Sequence, residues 1–201
     1  MSKIPLSYFQ TDDVTGLAQD LLGKFLFSNT DGKLCGGIIT ETEAYAGITD
    51  KASHAYGNRR TKRTEVMYKT GGRSYVYFTY GMHHLFNIVT SKEENPHAIL
   101  IRAIFPTHGL QTISERRKMA VNNKNIANGP AKLCQALGIT LVQNNILLDG
   151  DIIWLEDRGF RPHRSIITTG PRIGVDYAGE DAALPYRFLI SNTSELEKFI
   201  E

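Results

Sequence analysis

Helical periodicity is confined to short stretches of this chain, and strand-like patterning fills its middle. Thr11-Asp12-Asp13 precedes apolar Val14, Leu17, Ala18, Leu21 and Leu22, which predicts a capped amphipathic helix ending at Gly23. Residues 24–29, a turn at Asp31-Gly32 and residues 36–45 read as a hairpin of strands. Residues 74–80 and 83–90 flank Gly81-Met82, the pattern of a two-residue hairpin turn with glycine first. Residues 97–105 are almost continuously apolar, as in a strand central in its sheet. Helices are expected over 109–119 and, after Asn128-Gly129-Pro130, over 130–137. Further strands fall at 146–155, 165–169 and 186–191, and Ser194-Glu195-Leu196-Glu197 reads as a capping box opening a last helix.

Residues 46–73 are polar, basic and glycine-containing, with one short helical signal at 63–69. Long irregular segments inside a domain are disproportionately functional. No repeat, low-complexity tract or linker interrupts the chain, so one mixed α+β domain over residues 1–201 is expected. Composition agrees: 41% hydrophobic and 22% charged residues in a chain of 201 exclude wholesale disorder. No run reaches the roughly 18 apolar residues of a membrane span, and Met1-Ser2-Lys3-Ile4-Pro5 does not read as a secretory signal. Cys35 and Cys134 stand far apart with no CxxC, so neither a disulfide scaffold nor a zinc site is encoded. A reducing, cytoplasmic setting is expected.

A formal charge of +2 conceals an uneven distribution. Residues 51–73 hold seven Lys/Arg (Lys51, Arg59, Arg60, Lys62, Arg63, Lys69 and Arg73) against Glu65, a local +6. The rest of the chain has 16 cations and 20 anions, or −4. A basic block on a mildly acidic body fits a polyanionic partner, or else a solvated loop.

Three features carry candidate chemistry. Glu41, Glu43 and Tyr45 alternate onto one face of a strand end, which makes them either a solvent face or the floor of a polar site. Arg102 interrupts the apolar run 98–105, and a buried guanidinium needs a carboxylate partner, for which Glu43 is the natural candidate. Such a pair can be structural or catalytic. Six of the nine tyrosines (45, 56, 68, 75, 77 and 80) lie between residues 45 and 80, among the basic residues. Base stacking on aromatic rings with phosphate contacts from Lys/Arg is the chemistry of holding an unstacked nucleotide, although tyrosine is also ordinary in strands. Alternation predicts Tyr77 and Tyr80 on opposite faces, with Tyr80 at the hairpin edge as surface decoration or a wedge.

Glu43-Ala44-Tyr45, His54, the run 75–82, Asn87, Arg102, the run 129–137 and Arg172-Ile173-Gly174-Val175 together resemble the alkyladenine (3-methyladenine) DNA glycosylase family, in order and spacing from about residue 5 to 191. The resemblance implies a monofunctional hydrolase that flips damaged purines (3-methyladenine, hypoxanthine, 1,N6-ethenoadenine) out of double-stranded DNA and leaves an abasic site. It implies Glu43 as the base that activates a water, with Arg102 and the main-chain carbonyl of Ile173 holding that water. An Arg partner is expected to lower the pKa of Glu43. Tyr45, His54 and Tyr77 would sandwich the base, and Asn87 would disfavour guanine. Tyr80 and Met82 would enter the duplex, and Arg59, Thr61, Arg63 and Lys132 would touch phosphates. No metal or organic cofactor, no membrane and a monomeric state are implied. Lacking the basic N-terminal extension of mammalian members, the chain looks like a compact bacterial version. The expected fold is a curved, largely antiparallel sheet flanked by helices, with the 74–90 hairpin protruding.

Two other readings compete on the residues alone. A nucleosidase or sugar hydrolase could use Glu41 and Glu43, about 7 Å apart at Cα as same-face neighbours. It leaves the +6 block and the tyrosine hairpin unexplained. A non-catalytic RNA- or single-strand-binding domain could use the tyrosines but gives no reason for Arg102.

Overall fold

The first helix, α1 (Val14–Asp20), starts where the local chemistry dictates. The Asp13 carboxylate accepts the Gly16 N–H at 2.8 Å, satisfying one of the donors a helix leaves open at its start. Gly23, with φ +88°, turns the chain into β1 (Phe25–Thr30), which pairs antiparallel with β2 (Lys33–Tyr45). After β2 the chain runs through short 3-10 turns until β3 (Arg73–Thr79), which pairs with β4 (His83–Thr90). The helical signal at 63–69 is one such turn, Glu65–Tyr68. β5 (His97–His108) follows, then α2 (Leu110–Arg117) and α3 (Pro130–Leu137). The chain closes with β6 (Ile153–Glu156), β7 (Ile167–Gly170), β8 (Arg187–Ile190) and α4 (Ser194–Ile200). The computed structural model describes residues 2–200.

These strands form one curled sheet in the order β3-β4-β5-β2-β1-β6, all pairings antiparallel, with β8 joining β2 and β7. β5 is central, as its apolar run predicts. β2 is long enough to serve two partners along one edge: its first half pairs with β1, while Glu41–Glu43 pair with Leu189–Arg187 of β8. α1 packs on β2 and α3 on β4 and β5, with α2 against α3. One core gathers Phe9, Leu21, Phe27, Ile38, Phe86, Ile99, Ile101 and Leu133, and a smaller cluster around Tyr68 and Tyr75 seats the irregular segment. Each such aliphatic or aromatic side chain contributes roughly 1.5–3 kcal/mol by leaving water. No described helix is long and apolar enough to cross a membrane.

Three expectations change. The strand predicted over 146–155 is regular only at Ile153–Glu156; the backbone of Ile146 and Leu147 instead meets the start of β3. Ser194 is the first helical residue of α4 rather than its cap, and its N–H bonds the Asn192 side chain. The β3–β4 turn is centred on Tyr80-Gly81, not Gly81-Met82: the Met82 N–H bonds the Thr79 carbonyl, and Thr79 pairs with His83. Tyr80 therefore takes φ +52°, a left-handed conformation that an L side chain adopts at a cost. Its ring is 88% exposed, so no packing compensates that cost. Tyr80→Gly should accordingly leave the urea midpoint unchanged or raise stability by up to about 1 kcal/mol; a clear loss would make Tyr80 a folding residue.

Candidate active site

Period-two alternation divides the residues of the sheet between the core and a cavity of about 320 Å³. On β3, Val76 enters the core while Tyr75, Tyr77 and Thr79 line the cavity. On β4, Phe86 and Ile88 pack inward while Leu85 and Asn87 line it. On β5, Ile99 and Ile101 pack inward while Ala98, Leu100 and Arg102 line it. Tyr45, His54, Arg63, Ile173 and Tyr177 complete the walls.

Glu43 has no exposed surface and does not itself line the cavity; it is buried behind three residues that do, Tyr45, Arg102 and Ile173. Its Oε1 accepts the Ile173 N–H at 2.8 Å and lies 3.2 Å from Arg102 Nη1. Its Oε2 accepts the Tyr45 hydroxyl at 2.9 Å. Burial pushes the carboxyl above the usual carboxylate range, and Arg102, the Ile173 N–H and the Tyr45 hydroxyl only partly pull it back. The expectation of a lowered pKa is thus reversed: desolvation outweighs the ion pair.

Glu41, Glu43 and Tyr45 do share a face, but it is not a solvent face. Glu41 is also buried, and Thr42 points the other way, donating its hydroxyl to the Ala18 carbonyl of α1 at 2.7 Å. The pairing with β5 is irregular on both sides of Glu41, a bulge that bends the strand where its carboxylates sit. Arg102 meets Glu43 as predicted, yet its Nε donates to Glu41 Oε1 at 2.9 Å, a shared arrangement that the sequence did not suggest. Ile173 also meets Glu43 directly, through its N–H, a contact that the sequence did not suggest.

The aromatic residues assemble around the opening. The His54 ring stands edge-on to Tyr77 at 4.8 Å, and Tyr75 lies 5.4 Å from Tyr77. Arg63 covers the Tyr77 ring at 4.5 Å, and its Nη2 donates to His54 Nε2 at 3.3 Å. A guanidinium can only donate, so the neutral imidazole carries its proton on Nδ1, which meets the Tyr75 hydroxyl at 2.8 Å. Burial, with Arg63 and Arg59 nearby, lowers the pKa of His54 to about 4, so the ring is neutral near pH 7. Asn87 is buried, its amide nitrogen donating to the Tyr75 carbonyl at 3.1 Å. Tyr77 and Tyr80 were expected on opposite faces, but both border the cavity. Alternation ends at Thr79, and the turn swings Tyr80 back over the opening. Met82 beside it is 68% exposed.

The basic block divides in two. Arg60 is bound by Glu65 and Glu94 over the Tyr68 ring, and Lys51 pairs with Glu180. Arg59, Thr61, Lys62 and Arg63 are exposed. Lys132 is half-buried in the first turn of α3, beside Pro130, which borders the cavity.

A sequence model described as "Methylpurine-DNA glycosylase (MPG)" matches residues 8–194. The chain belongs to the methylpurine-DNA glycosylase family. A Chlamydia abortus protein named "Putative 3-methyladenine DNA glycosylase" is 47% identical over 188 residues, covering 93% of this chain and 97% of that protein. Relatives with the same printed name from Bacillus thuringiensis (45% over 192 residues, 92% and 93%) and Chlamydia pneumoniae (44% over 185 residues, 92% and 93%) are similar throughout.

In this methylpurine-DNA glycosylase family member, sequence reasoning overlooked two supports. Arg172 is buried against Asp50: its Nη2 donates to Oδ1 at 2.8 Å, and its Nη1 reaches the other carboxylate oxygen and the Ala44 carbonyl. The guanidinium also covers the Tyr45 ring at 4.8 Å. Asp50 accepts the N–H groups of Ala46 and Ala52, so this pair holds the start of the irregular segment against the strand that carries Glu43. Tyr177, whose hydroxyl donates to the Ala52 carbonyl at 3.0 Å, adds a rim aromatic. Neither carries a local signal, because each partner lies over a hundred residues away. Asp50→Ala leaves a buried guanidinium unpaired and should cost about 3–5 kcal/mol in denaturant unfolding.

Proposed function

We propose that this chain is a monofunctional base-excision glycosylase that takes a damaged purine nucleotide out of duplex DNA and hydrolyses its N-glycosidic bond with a water activated by Glu43. The observation that carries this reading is a fully buried carboxylate, held by two hydrogen bonds and an ion pair to residues of the wall of an aromatic cavity that an exposed tyrosine turn borders. An ionised carboxylate offers about four lone-pair sites. The Ile173 N–H and the Tyr45 hydroxyl occupy two of them, and Arg102 lies 3.2 Å from Oε1 as an ion-pair partner. A site remains for a water O–H, and the fixed partners keep the carboxylate from turning away.

In the proposed step the water oxygen bonds to C1′ as the C1′–N9 bond breaks, and Glu43 takes the water's proton. The purine leaves with the bonding pair. A cationic base such as 3-methyladenine departs neutral without an acid, whereas hypoxanthine or 1,N6-ethenoadenine must gain a proton. His54, neutral and tied to Arg63 and Tyr75, is a wall rather than that proton's source. Tyr45, His54 and Tyr77 enclose the flipped base, and Asn87 on the cavity wall excludes the 2-amino group of guanine. Tyr80 and Met82 fill the vacated stack, and unstacking, a few kcal/mol, is cheapest at damaged pairs. Among the described residues no lysine lines the cavity, which supports hydrolysis to an abasic site without a Schiff-base lyase step.

Arg59, Arg63 and Lys132, with Thr61, hold phosphates, and the chain acts as a monomer. Three such cations predict that the logarithm of duplex affinity falls with that of salt at a slope of about −2.7; a slope near zero would remove DNA as the partner. Glu43→Gln should bind a 1,N6-ethenoadenine duplex normally yet lose excision by about 10²–10⁴-fold, read by alkaline cleavage of the abasic product. Full activity of that variant would end the mechanism.

A further inference from the structure

Neither Glu41 nor Glu43 lines the cavity, but Glu43 contacts three residues that do, Tyr45, Arg102 and Ile173, whereas among the described residues Glu41 reaches the wall only through Arg102. Glu41 nevertheless bonds Arg102, the cation at Glu43 Oε1, and is linked through Arg187 to the segment that supplies the Ile173 N–H. Arg102 gives Nε to Glu41 at 2.9 Å and only one terminal nitrogen to Glu43 at 3.2 Å, although a guanidinium can clamp a single carboxylate with two parallel bonds. Arg187 Nη1 donates to the same Glu41 oxygen at 2.9 Å, while its Nε donates to the Pro171 carbonyl at 3.0 Å. Pro171 stands two residues before Ile173, whose N–H supports Glu43. The β2–β8 register places Arg187 opposite Glu43, so the link is short. Two carboxylates and two guanidiniums thereby balance in one largely buried cluster.

We propose that Glu41 is a positioning residue for excision: held between Arg102 and Arg187, it turns Arg102 edge-on to Glu43 and ties the Pro171–Ile173 segment to the same strand. This rests on the reading of Glu43 as the base. A structural brace alone would make Glu41 matter for folding. A positioning residue also sets how readily Glu43 gives up its proton. The charged and titratable groups around Glu43 are Glu41 and Tyr45 on its own strand, Arg102 from β5, Arg187 from β8, Tyr77 from β3, and the Arg172–Asp50 pair. Of these, the negative charge of Glu41 favours the protonated form of Glu43.

The sign follows. Excision needs ionised Glu43, so activity rises with pH through its titration. Glu41→Gln keeps the shape and removes a neighbouring negative charge, so this acid limb should move to lower pH by about half a unit or more. The plateau rate should fall about tenfold or more through the loosened Arg102. Arg187→Met removes a positive charge and should move the limb to higher pH, and Glu41→Gln/Arg187→Met should return it near the wild-type position. Single-turnover excision of 1,N6-ethenoadenine across pH is the measurement, with ethenoadenine fluorescence reporting binding. Unmoved limbs in both folded single variants overturn the proposal. If Glu41→Gln fails to fold, Arg187→Met decides alone, since Arg187 is partly exposed and its loss is better tolerated. Glu43→Gln serves as the control. Activity of that variant would remove the base assignment itself, whereas an inactive Glu43→Gln with unmoved limbs would remove only the role of Glu41.

Discussion

Arg102, in a central strand of the sheet, is buried between Glu41 and Glu43, and the candidate site is arranged around that charge. A guanidinium without partners in such a place would cost several kcal/mol, so the strands beside it must supply carboxylates. β2 does so from alternate positions at a bulge. The two acids then need a second cation and further donors, which come from β8 and from the loop ahead of it. One buried charge thereby links the pairing of β8, the position of Ile173 and the place of Glu43 behind the cavity wall.

That arrangement keeps Glu43 in an environment unfavourable to its ionised form. Burial raises its pKa although three donors surround it. The surrounding structure maintains it through a second buried pair, Arg172–Asp50, which fastens the irregular segment and the Tyr45 ring to the same strand end. The exposed parts follow a different logic. Tyr80 holds a left-handed backbone with its ring in water, and Met82 projects beside it. Both side chains are thus largely unpacked in the free protein.

Much of the architecture was legible in the pattern of residues. The Asp13 cap, the apolar run of β5, the Gly129-Pro130 start of α3 and the alternation of β3 and β4 are local signals with local causes, and each element formed where its signal lay. Local reasoning failed where a longer-range partner decided the outcome. Residues 146–152 carry strand-like composition, but the start of β3 engages part of that backbone and leaves four residues for β6. At the β3–β4 turn the glycine suggested the wrong centre, because the register set by Thr79 and His83 moved the turn one residue back and brought Tyr80 over the cavity. The +6 of the basic block was correct as a sum, yet Arg60 and Lys51 are matched by acids and contribute little outward.

By itself, the sequence determined the chemical inventory: a strand-borne Glu43 beside Glu41, an arginine that burial would force into an ion pair, clustered tyrosines, and cations in one segment. Period-two alternation also told which of these would share a face, because side-chain direction along a strand is a local property of the backbone. Only the tertiary structure decided that this face is closed to solvent, that Arg102 is divided between two acids, and that Ile173 approaches Glu43 through its N–H. It also decided the sign of the Glu43 shift. Burial, ion-pair geometry and backbone donors at long sequence separation depend on what lies opposite in space, and a local pattern carries no record of that.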